Sequence, residues 1–166
     1  MFCANETIHY AGSGVCRIQE IAKMRFGRTW EQYYVLKPLH QNASVIYVPV
    51  NSEKLVAKMR PILTREEIET LIDGFADIEP AWEDDVNLRK AKYDELIRSG
   101  DCTDLVRIIK ALMQQRGKRQ AEGKSLHVSD EGYLREAQRL LYDEIAGVLG
   151  QNPKEIEEQL KDKLSR

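Results

Sequence analysis

The 166-residue sequence predicts a β + α protein in two parts. A small β-barrel or strongly bent sheet takes residues 1–62, and a compact all-α bundle of about five helices takes 63–166. Three observations predict this. Short runs rich in β-branched and aromatic residues, separated by glycine-containing or polar turns, fill the first part, and no helical period competes with them. From "RPILTREEIETLI" onward, apolar residues recur at three- and four-residue spacing. Helix-cap signals bracket those stretches, and no flexible linker separates the two textures.

In the first part, "TIHYA" (7–11) reads as a strand and "GSG" (12–14) as a hairpin turn. "VCRIQEI" alternates imperfectly, with Val15, Arg17, Gln19 and Ile21 on one face and Cys16, Ile18 and Glu20 on the other. "FGRT" is a second turn and "WEQYYVLKP" a third strand. "HQNA" is a polar turn before "SVIYVPV", where Pro49 near the end implies an edge strand or a strand end. Four or five short strands with tight turns fit a small bent sheet or barrel.

In the second part, Thr64 and Glu67 form a T-x-x-E capping box, so a helix starts at 65, with Ile68, Leu71 and Ile72 as its stripe. A second helix covers about 84–99 with Val86, Tyr93, Leu96 and Ile97 inward, and Gly100 stops it. Asp101 caps a third, striped by Leu105, Ile108, Ile109 and Leu112. "QQRGKRQAEGKS" reads as a basic, glycine-containing loop. Ser129 caps a fourth helix, which carries Tyr133, Leu134, Ala137, Leu140, Leu141, Ile145 and Val148 and ends at Gly150. Asn152 and Pro153 open a fifth, lined by Ile156, Leu160 and Leu164.

The net charge of −2 hides an asymmetry. Residues 1–62 hold eight basic and four acidic side chains; residues 63–166 hold 17 and 23. Within the acidic half, residues 89–124 hold ten basic and five acidic side chains, which reads equally as a polyanion contact or a solvated helix face. No run of about 18 apolar residues predicts a membrane span. "MFCANETIHY" has no basic n-region or apolar h-region, so no secretion signal is expected. Cys3, Cys16 and Cys102 are widely spaced and form no CxxC pair, so they read as reduced thiols of a cytoplasmic protein.

Catalytic chemistry finds no foothold. His9, His40 and His127 are scattered, and neither a cysteine nor a carboxylate cluster accompanies them. There is no GxxxxGK[ST], GxGxxG or GxSxG motif. The sequence therefore predicts no enzyme, no cofactor, no metal and no small-molecule substrate. One stretch stands out, "EPAWEDDVNLRK" at 79–90. Trp82 there either packs into the bundle or presents an aromatic surface to a partner. Glu83, Asp84 and Asp85 read first as acids complementing a helix N-terminus.

The order of segments resembles the CarD-like (CdnL) bacterial transcription regulators. "IHYAGSGVCRIQEI", "YYVLKPL" and "SVIYVPV" are similar to the family's N-terminal module, which transcription-repair coupling factors share. "RKAKYDELIRSGD", "LVRIIKALM" and "SDEGYLREAQRLLYDEIAGVL" are similar to its helical domain. The resemblance implies that residues 1–62 form a Tudor-like (SH3-like) barrel docking on the β subunit of RNA polymerase through an edge strand. Ile46, Tyr47, Val48 and Pro49 take that role, with Lys23 and Arg25 nearby to meet acidic residues of the partner. It further implies that residues 63–166 contact promoter DNA in the cytoplasmic nucleoid. Trp82 then enters the minor groove at the upstream edge of the melted bubble, and Arg89, Lys90, Lys92, Arg116, Lys118 and Arg119 hold the backbone. The alternative is an adaptor whose acidic bundle recruits a protein rather than DNA; an unrecognised enzyme with a helical lid is the remote third class.

Overall fold

The structure is a computed structural model and describes residues 1–40, 42 and 44–164. The chain divides into two units, Met1–Ile62 and Leu63–Arg166.

The first unit holds β1 (Thr7–Tyr10), β2 (Gly14–Phe26), β3 (Thr29–Pro38), β4 (Ile46–Pro49), a short helix α1 (Glu53–Val56) and β5 (Met59–Pro61). They form one antiparallel sheet in the order β4-β3-β2-β1-β5. Gly27, with φ +84°, leads the two-residue turn that pairs Phe26 with Thr29, a glycine-first hairpin suited to strand twist. A register shift between Ile18 and Glu20 marks a bulge at Gln19, which explains the imperfect alternation seen in the sequence. Core side chains Ile8, Cys16, Ile18, Tyr34, Leu36 and Val48 share one face of the sheet.

The expected barrel does not close. Among the described residues β4 and β5 remain two separate edges, and the chain between them carries Val50, Leu55 and Val56, which pack against the core instead. Expectation and structure agree on the antiparallel β module followed by helices. α1 and β5 are too short to leave a period, so the sequence pattern misses them. The polar turn at "HQNA" includes Gln41 and Ala43, which lie outside the described residues.

The second unit holds α2 (Arg65–Asp73), a 3-10 turn (Phe75–Asp77), α3 (Val86–Ser99), α4 (Cys102–Ala121), α5 (Val128–Leu149) and α6 (Pro153–Leu164). The Thr64 box is present, with Thr64 Oγ1 accepting from Glu67 N at 3.2 Å and Glu67 Oε2 accepting from Thr64 N at 2.8 Å. Asp101 caps α4, and Gly100 and Gly150 take left-handed conformations after α3 and α5. The core gathers Leu105, Ile108, Ile109 and Leu112 of α4 against Leu134, Leu141 and Ile145 of α5, with Ile68, Tyr93, Ile156 and Leu160 from the flanking helices.

Two elements differ from expectation. The basic stretch from Gln114 to Ala121 is not a loop; α4 continues through Gly117. A glycine costs a helix about 1 kcal/mol relative to alanine, and its neighbours Gln, Arg and Lys are good helix formers. Lys118 and Arg119 in the last turn also complement the helix dipole. The fourth-helix cap is His127 rather than Ser129: its Nδ1 accepts from Ser129 N at 3.3 Å, so the helix begins at Val128.

Candidate functional site

Residues 78–85 leave the 3-10 turn and reach α3 without regular structure. Backbone groups there lack ladder partners, so other elements must satisfy them. Lys110 of α4, buried, donates to the carbonyls of Phe75 at 3.3 Å, Ile78 at 2.7 Å and Ala76. Ala81 N donates to Arg107 O at 3.0 Å, and the Tyr93 hydroxyl donates to Ala81 O at 2.8 Å. Burial pushes the Tyr93 phenol well above its usual range, with Asp130 adding to the shift, so it stays a donor.

Trp82 follows. Its indole is half-buried and packs against the helical core. The Arg89 guanidinium lies over the ring, 4.4 Å from the centroid, and the indole Nε1 donates to Asp84 Oδ1 at 2.8 Å. The acids that follow Trp82 therefore work locally. Asp84 fixes the indole edge, and Asp85 caps α3 by accepting from Leu88 N at 2.9 Å.

Arg89 has a different place from the one expected of a phosphate contact. It is 4% exposed and makes a bidentate pair with Asp130 of α5, at 3.0 and 2.8 Å. Its remaining arm donates to the Glu83 and Asp84 carbonyls at 2.8 and 3.3 Å. The bond to Asp130 raises the guanidinium pKa further, against the opposing effect of burial. A guanidinium so enclosed packs the site rather than reaching outward.

The other expected cations divide. Lys90 and Lys92 on α3 are half-buried, and the Lys90 carbonyl accepts from Tyr133. Tyr133 also donates to Asp94 at 2.7 Å, and burial together with that bond pushes its phenol up to about 12. Arg116 pairs with Glu131 at 2.6 Å, and Arg119 Nε donates to Ser125 O at 2.5 Å. Lys118 is exposed. The structure thus gathers Trp82, Arg89 and Asp130 in one cluster, while Arg116, Lys118 and Arg119 belong to the end of α4.

In the first unit, β4 lies at the sheet edge, paired among the described residues with β3. Val48 is fully buried opposite Tyr34, so its side chain belongs to the core. Tyr47, one residue earlier, points to the other face and is 44% exposed. Phe26 lies 5.6 Å from the Tyr47 ring and 5.0 Å from the Tyr33 ring, an aromatic cluster flanking the edge. Val50 N donates inward to Gln32 O, so by strand alternation Tyr47 turns its own N–H and C=O outward. Lys23 and Arg25 are exposed on β2, separated from β4 by β3 rather than beside it. The register places them on the Val48 face, with Trp30 opposite Arg25.

Asp130, Asp84, Tyr93 and Lys110 were not among the expected site residues. No local signal points to them: Arg89 and Asp130 are 41 positions apart, and Lys110 reads as one more cation of a basic stretch. Among the described residues no cluster of three His, Cys, Asp or Glu side chains is placed to hold a metal, and no helix is long and apolar enough to cross a membrane.

Two family models match. Residues 2–63 match the CarD-like/TRCF RID domain, and residues 70–161 match the CarD C-terminal domain. No curated protein matches the chain.

Proposed function

The chain belongs to the CarD family, whose members are RNA polymerase-interacting transcription factors rather than enzymes, and we propose that it holds promoters open by gripping polymerase with one unit and DNA with the other. The first unit docks on the polymerase β subunit by strand addition to β4. The helical unit meets promoter DNA at the upstream edge of the bubble, with Trp82 in the minor groove.

The observation that carries this reading is the open edge at β4. An unpaired edge offers main-chain hydrogen bonds with little demand on the partner's sequence. At β4 the outward groups belong to Tyr47, and the aromatic cluster of Phe26, Tyr33 and Tyr47 supplies apolar area beside them. Ile46 and Pro49 bound the short edge, and Val48 contributes backbone only. Lys23 and Arg25 take a peripheral part, steering acidic partner groups from two strands away.

For DNA, a half-buried indole leaves ring surface for a distorted base step, whose unstacking costs a few kcal/mol. Lys90, Lys92 and Lys118, with Arg116 and Arg119 once released from Glu131 and Ser125, neutralise phosphates and give a sequence-tolerant grip. Arg89 supports this grip from within. The helical unit's excess of acidic over basic residues favours a second reading, an adaptor that recruits protein.

The deciding test of docking is Tyr47→Pro. Proline removes the outward N–H without removing a ladder bond. Binary binding to purified polymerase is expected to be lost while the β unit stays folded; full binding would refute docking through β4.

A further inference from the structure

We infer that the buried Arg89–Asp130 pair is the positioning device for Trp82, and that Asp130, an acid that meets no DNA, promotes DNA engagement by holding the indole in its half-buried pose. This rests on the DNA reading of Trp82. The geometry is specific. Asp130, on α5, takes both Nε and Nη2 of Arg89 and so fixes the plane of the guanidinium. The guanidinium so fixed lies over the Trp82 ring, 4.4 Å from its centroid, and its remaining arm ties down the carbonyls of Glu83 and Asp84. Asp84 in turn holds the indole N–H. Three successive residues, 82 to 84, are thus anchored through one side chain, and that side chain is anchored through Asp130. A planar fork does this; a lysine supplies charge without the fork or the stacking surface.

The inference opposes simple electrostatics, which makes it testable. Asp130→Asn deletes a negative charge from a DNA-binding protein. If charge alone mattered, it would lengthen the life of the open promoter complex. If Asp130 positions Trp82, the variant shortens that life toward the value of Trp82→Ala, and Trp82→Ala combined with Asp130→Asn is no worse than Trp82→Ala alone. The dependence of binding on salt stays unchanged, because no phosphate contact is removed. Arg89→Lys is expected to behave like Asp130→Asn, whereas a phosphate-binding arginine would be largely replaced by lysine.

In the free protein, with Trp30→Phe leaving Trp82 as the single indole, acrylamide quenching of Trp82 reads its mobility directly. The unstacked population is expected to rise about two- to tenfold in Asp130→Asn, the worth of a cation–π contact at a partly buried site. Should Asp130→Asn fail to fold, Arg89→Met with Asp130→Leu replaces the buried pair by apolar side chains of similar size, which proteins tolerate. That variant is expected to keep its helix content and lose the hold on Trp82. A folded variant of either kind with unchanged quenching overturns the inference. Raised quenching with a Trp82→Ala protein that leaves the open complex unaffected would uphold the positioning and overturn the DNA reading.

Discussion

Lys110→Met tests whether the irregular segment before α3 depends on a single buried cation. In the structure the Lys110 ammonium, on a residue 6% exposed, points three donors at the carbonyls of Phe75, Ala76 and Ile78. Methionine keeps the length and the apolar stem but donates nothing. The Phe75 carbonyl retains a partner, accepting from Ile78 N at 3.4 Å. The other two lose the Lys110 bond; Ala76 is exposed and Ile78 half-buried, so water takes over part of the loss, and each costs less than the roughly 1–3 kcal/mol of a fully buried, unsatisfied carbonyl. Relief from burying a charge offsets part of that. The net loss comes to about 1–2 kcal/mol, a measurable part of the roughly 5–15 kcal/mol that holds a typical domain together. For a unit of this size it lowers Tm by about 5–15 °C. Urea unfolding followed by far-ultraviolet circular dichroism reads the loss as a lower midpoint at unchanged slope. A Lys110→Met protein with the wild-type midpoint would refute the reasoning, because it would mean that water satisfies those carbonyls as well as the ammonium does.

Val48→Asp places a carboxylate at a fully buried position beside Tyr34, so the β unit should unfold outright; a folded variant with normal strand signal would contradict the assigned facing of β4. Thr64→Ala removes one half of the capping box and should cost about 1 kcal/mol in thermal or urea unfolding; no change would mean that water replaces the cap. The phenols of Tyr93 and Tyr133 titrate above the ordinary 10.0 in the folded protein, Tyr133 near 12, because folding favours their neutral forms. Their contribution is therefore complete below pH 10 and drains away as pH rises through 10 toward 12, so stability against urea should fall over that window. Flat stability there would contradict the burial of these hydroxyls.

What the sequence revealed was mostly local. The Thr64 box, the Asp101 cap, the glycines after α3 and α5, and Pro153 at the start of α6 each act within a turn of their own position, so the chain displays them directly. Gly117 misled for the same reason: it marks a turn locally, but the helix on both sides overrides it. Facing in "SVIYVPV" stayed ambiguous because Tyr47 and Val48 both suit a pleated surface, and only pairing with β3 separates the core residue from the outward one. Closure of the sheet depended on whether two distant edges meet, which no local pattern encodes. Arg89 and Lys110 were indistinguishable from solvated cations, since their partners arrive from other elements. Trp82 was conspicuous as a residue, yet the side chains that hold it were not.

The central claim is that Trp82 stabilises an open promoter complex on a polymerase held by the β unit. Its most direct measurement is the lifetime of that complex, challenged with a competitor after formation, with wild type and with Trp82→Ala. Trp82→Ala is predicted to shorten the lifetime while binary affinity for polymerase stays the same. An unchanged lifetime with intact polymerase binding would contradict it.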